Sequence, residues 1–139
     1  MRTYGFVSKD DHTLIVACQS HSITFSGGVD GRFEFDDEVF NRLMWCLTIE
    51  SRRCWTNFNP KEADSISSDY DSYYDKQFDN EGELNFSRNQ IRAIRPYGSK
   101  VRIYKFNKRR MESFIYDVEY GLPQYKYADK ENAPDLKEW

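Results

Sequence analysis

Residues 22–35 read SITFSGGVDGRFEF. Ile23 and Phe25 alternate with polar side chains, Gly27-Gly28 and Asp30-Gly31 interrupt the pattern, and Arg32-Phe33-Glu34-Phe35 resumes it. Alternation with a period of two is the mark of a half-buried strand. Gly and Asp-Gly supply the backbone freedom that a chain reversal needs. The stretch therefore predicts two antiparallel strands joined by a turn. Its glycines are not a phosphate loop, because no Lys-Ser/Thr pair follows and strand patterns flank them.

Working outward, residues 2–8 hold Tyr4, Phe6 and the β-branched Val7, and residues 13–19 (TLIVACQ) form an apolar run beyond the polar turn Lys9-Asp10-Asp11-His12. Both read as strands. On the other side, Asp36 is placed to cap a helix over 37–52, with Asp37 and Glu38 complementing its dipole. At 100° per residue, Val39, Phe40, Leu43, Met44 and Leu47 fall within about 140° of one another, a core-facing stripe. Trp45 and Ile49 lie off it. Either a neighbouring loop covers them or Trp45 is an exposed aromatic anchor for a partner.

A second helix is predicted over 108–120. Asn107 can cap it, Met111, Phe114, Ile115 and Val118 follow the i, i+3, i+4, i+7 pattern, and Gly121 and Pro123 suit its end. Between the helices, residues 84–106 have two readings. Ser87-Arg88-Asn89-Gln90 matches a capping box, with Phe86 and Ile91 stapling a short helix that Arg95-Pro96 would end. Alternatively, 91–97 and 100–106 form a hairpin around Gly98-Ser99. The strand reading is preferred. It would set Arg95 against Arg102 and Arg92 against Lys105, and like charges directly opposite destabilise a sheet. Such a ladder calls for an anion nearby.

The 139 residues suit one domain. The expected fold is a single α+β domain over 1–121. It has an antiparallel sheet of about five to six strands, two amphipathic helices and a long acidic insertion at 62–83. Residues 122–139 are a polar tail. No apolar run approaches the roughly 20 residues of a membrane span, and the N-terminal MRTYGFVSKDDH lacks the apolar core of a signal peptide. Three widely spaced cysteines, Cys18, Cys46 and Cys54, with no C-x-x-C, read as reduced thiols in a cytoplasmic protein. His12 and His21 do not complete a metal-site spacing, so no metal and no cofactor is expected.

Charge is segregated along the chain. Residues 62–83 carry eight acids and one base (Lys76), whereas residues 84–111 carry nine bases and no acid. Within the net charge of −3, an acidic block runs directly into a basic one. Blocks of this kind mark solvated or interacting surface. The acidic block also holds Tyr70, Tyr73, Tyr74 and Phe78, which pure disorder does not explain. The run DYDSYYD at 69–75 superficially resembles a calcium loop, but it lacks the ligand spacing, the central Gly and the closing Glu. No nucleophile elbow, H-E-x-x-H, Walker loop or dinucleotide fingerprint occurs, and no enzyme activity is expected.

Two binding functions are compatible with this pattern. In the first, the protein is an inhibitor that uses Asp64, Asp69, Tyr70, Asp71, Tyr73, Tyr74, Asp75, Asp79 and Glu81 against a protein partner with a basic groove. Spaced carboxylates stand in for phosphates, and tyrosines supply rigid contact area. Small, acidic, aromatic-rich chains without motifs resemble phage anti-defence proteins, anti-CRISPRs among them, and toxin immunity proteins in general style. In the second, the chain binds nucleic acid through Arg88, Arg92, Arg95, Arg102, Lys105, Lys108, Arg109 and Arg110, with Tyr97, Tyr104 and Phe106 as stacking groups. The flanking acids and a pI of 5.4 weigh against it. A third possibility is that the two blocks neutralise each other.

Overall fold

The computed structural model of the chain describes residues 1–28, 30–62, 83–95 and 102–121. The described elements are β1 (Arg2–Val7), β2 (Thr13–Cys18), β3 (Ile23–Gly27), β4 (Arg32–Glu34), α1 (Asp37–Cys54), β5 (Glu83–Ser87), β6 (Gln90–Ile94), β7 (Arg102–Phe106) and α2 (Lys108–Gly121). The alternating patterns of the first 35 residues become β1 to β4, and the two periodic stripes become α1 and α2. All pairing is antiparallel. One sheet has the order β1-β2-β3-β7 and the other β4-β6-β5. The α+β fold thus carries seven described strands divided four and three.

The glycine-rich turn is where the chain passes from the first sheet to the second. Gly31 sits at φ +74, and a Cβ there would fall 2.1 Å from the carbonyl oxygen of Ala93. Its own carbonyl accepts the Ala93 N–H at 2.8 Å, which seats β4 against β6. Only glycine fits both the backbone angle and this close approach.

Alternation in the strands sets the core. Tyr4, Phe6, Leu14, Val16, Ile23 and Phe25 of the larger sheet and Phe33, Leu84, Ile91 and Ala93 of the smaller one are buried together with the helix stripes. Phe114 of α2 joins the sheets, packing on Phe106 from one at 5.4 Å and on Phe86 from the other at 5.5 Å. Asn107 caps α2 as expected, its Oδ1 accepting the Arg110 N–H at 2.8 Å. Asp36 occupies the cap of α1 in extended conformation but makes no side-chain capping bond.

Three sequence expectations are corrected. The hairpin between 91–97 and 100–106 does not form, because β6 pairs with β4 and β5 while β7 pairs with β3. Arg92 therefore does not face Lys105, nor Arg95 Arg102. Residues 88–95 are not a helix either. Arg88 and Asn89 turn the chain between β5 and β6, Asn89 adopting φ +61, and Phe86 lies in β5 instead of stapling a helix. Trp45 is not an exposed anchor. Residues 43–48 are all buried, more than a full turn of α1, so packing surrounds the helix at this level.

Candidate functional site: a charged pocket, a buried carboxylate and the root of the acidic segment

Register brings two arginines together that sequence spacing did not. Arg32 of β4 lies directly opposite Arg92 of β6, and both are exposed. They line an open pocket of about 370 Å³ together with Asp10, His12, Asp30 and Glu34, above Phe33 and Ile91. The β1–β2 turn forms one wall, held against β4 by the Lys9 N–H donating to the Glu34 carbonyl at 2.8 Å. Lys9 Nζ also sits 3.6 Å from the Glu34 carboxylate. Asp30 Oδ1 accepts the Arg32 N–H at 3.1 Å, closing the turn before β4.

A second polar centre was missed by the sequence reading. Glu50 of α1 has a fully buried side chain that accepts from Arg2 Nε at 2.8 Å, Arg2 Nη2 at 2.7 Å, the Tyr4 hydroxyl at 2.7 Å and Arg53 Nη1 at 3.0 Å. Burial alone would raise its pKa, but the bonds from Arg2 and Tyr4 and the charges of Arg2 and Arg53 outweigh it and hold the carboxyl below the usual range. Burial also pushes the nearby thiols up, Cys18 to about 12 and Cys46 further, with the Glu50 charge adding to both. Cys54 is raised for the same first reason, and its Sγ donates to the Gln19 carbonyl at 3.1 Å. These are the reverse of the conditions that make a nucleophilic thiolate. Among the described residues no His/Cys/Asp/Glu group is arranged to hold a metal ion. The signal for Glu50 was present. At 100° per residue it stands within about 20° of Leu43 on the core stripe, where a carboxylate must be paired.

The candidate inhibitor residues Asp64, Asp69, Tyr70, Asp71, Tyr73, Tyr74, Asp75, Asp79 and Glu81 lie outside the described residues. The chain on either side of them is described, and both ends are fixed to α2. On the upstream side, Glu112 Oε2 accepts the Asn59 N–H at 2.9 Å, the Glu112 carbonyl accepts the Lys61 N–H at 3.3 Å, and Arg109 Nη2 donates to the Glu62 carbonyl at 3.4 Å. Trp55 and Phe58 stack beneath, with centroids 6.0 Å apart. On the downstream side, Phe86 of β5 packs edge-on against Phe114.

The basic residues do not form one face. Arg88 and Arg92 are exposed. Arg95 is half-buried and donates to the Gly27 and Gly28 carbonyls at 3.5 and 3.3 Å. Arg102 and Lys105 are half-buried on β7 in the other sheet, and Lys108 and Arg109 are half-buried on α2. Arg110 is 1% exposed and donates to the Lys105 carbonyl at 3.4 Å, so its place in a nucleic-acid surface is corrected. The proposed stacking groups Tyr104 and Phe106 are likewise core residues.

The chain was compared with protein-family models, with curated proteins and with solved structures, and none matches it. Among the described residues no helix is long and apolar enough to cross a membrane.

Proposed function

We propose that the protein is a small, non-enzymatic inhibitor that works in the cytoplasm. Its acidic, tyrosine-rich segment at 62–83 engages a protein partner with a basic groove, of the kind that handles nucleic acid. Anti-defence proteins, anti-CRISPRs included, and nuclease-toxin immunity proteins work in this style. The observation that carries the reading is that eight carboxylates and four aromatic rings stand in one 22-residue segment. Its two flanks are tied to a single helix, by Glu112 and Arg109 on one side and by Phe114 on the other. A segment rooted at both ends loses less conformational entropy on binding than a free tail. Its carboxylates can present a phosphate-like array while its tyrosines supply the desolvated centre.

The dispersal of the basic block adds support. With Arg110 buried and Arg95 and Arg109 bonded to backbone carbonyls, few of its cations among the described residues are left on a common surface for a polyanion. The nucleic-acid reading keeps one favourable observation, the exposed Arg92 beside Arg32.

Affinity purification of the full chain from lysate, with and without nuclease treatment, tests the proposal. A protein partner that survives nuclease is expected. Recovery of nucleic acid alone would put the nucleic-acid reading first.

A further inference from the structure

We propose that Arg32 and Arg92 form a binding site for one oxoanionic group, a carboxylate or a phosphate monoester, at the pocket between the β1–β2 turn and the β4–β6 face. Arg32 and Arg92 are directly paired cross-strand neighbours, and both line the same pocket. Both are exposed, and among the described residues neither has an ion-pair partner. Two like charges set opposite each other oppose strand pairing unless an anion lies between them. The planar guanidinium fork matches the geometry of carboxylate and phosphate oxygens. Gln90, next on β6, accepts the Ser87 hydroxyl through its Oε1 at 3.0 Å, which turns its amide N–H groups to donate.

The carboxylates around the pocket set the size of the anion. Glu34 lies beside Lys9, and Asp30 accepts the Arg32 backbone N–H, and among the described residues neither makes an ion pair with Arg32 or Arg92. Together with Asp10 they set three carboxylates around the two arginines, so the lining as a whole carries no net positive charge. That arrangement accepts a single anionic group and disfavours the repeated charges of a nucleic-acid backbone. The site uses other residues than the acidic segment and does not rest on the inhibitor reading.

The test is a titration of the full-length protein with acetate and, separately, methyl phosphate, at ionic strength held constant with chloride, following the arginine Nε–Hε signals by NMR. At least one of the two anions should shift the Arg32 and Arg92 signals together and saturably. Arg92→Gln should weaken that binding by about tenfold, the loss of one charge-assisted partner, whereas Arg88→Gln on the neighbouring turn should not. Absence of saturation by both anions, or equal behaviour of the two variants, would overturn the site. A single-stranded oligonucleotide that binds the same pair more tightly than methyl phosphate does would overturn the single-group assignment. Because Arg92 is exposed, folding of the variant is not at stake. A higher melting temperature of the wild type in methyl phosphate than in chloride is expected as an independent readout.

Discussion

The hydroxyl of Tyr4 donates to Glu50 Oε1 at 2.7 Å, joining β1 to α1 across 46 residues of sequence. Arg2 and Arg53 complete the set around the same carboxylate. This arrangement fixes the open edge strand β1 to α1, and it makes stability depend on the charge of Glu50. Its folded pKa is lowered. Its contribution is therefore present above the unfolded value of about 4.3 and is lost as pH falls from there through the folded value. Glu50→Gln should destabilise by ~2–3 kcal/mol at neutral pH, as expected for a buried charged acceptor. Chemical denaturation as a function of pH should show the gap between wild type and variant closing below about pH 4. A gap that is constant across that range would mean that folding does not lower the pKa of Glu50.

Phe114 is fully buried between Phe86 and Phe106, one from each sheet. Phe114→Ala should cost ~3–5 kcal/mol through lost burial and the cavity left behind. Denaturant melts measure this directly, and a change below about 1 kcal/mol would show that α2 does not join the sheets.

The thiols should separate by burial. Cys18 and Cys46 are buried and Cys54 is half-buried. An aromatic disulfide reagent at neutral pH should modify Cys54 slowly in the folded protein and reach Cys18 and Cys46 only on unfolding, for a total of three. Two thiols missing from unfolded, non-reduced protein would contradict the reduced state.

Much of this fold is legible locally. Ile23/Phe25 and Phe33/Phe35 declare strand faces, and Met111, Phe114, Ile115 and Val118 declare a helix face, because each pattern depends on residues a few positions apart. What was not legible is long-range. Ile91 and Ala93 give β6 an inward face that suits either neighbour, and nothing local says that β4, some 60 residues earlier, takes one side of it. Leu84 and Phe86 are a short alternation at the end of an acidic run, so β5 was not distinguished from the segment before it. Arg110 read as polar surface although it stands four residues before Phe114, on the same face of α2. Of the candidate sites, the acidic segment was found by composition alone. The Arg32–Arg92 pair needed the register, since one member precedes α1 and the other follows the segment.

The most direct test of the central claim is the variant Asp69→Asn/Asp71→Asn/Asp75→Asn, measured side by side for thermal stability and for capture of the nuclease-resistant protein partner. If the segment is a binding surface, removing three charges should slow association and flatten its salt dependence, since steering acts over a Debye length of about 8 Å at physiological salt. The melting temperature should stay within a few degrees of the wild type. If instead the variant unfolds, those carboxylates serve as internal counter-charge to the chain's own arginines, and the inhibitor account is contradicted.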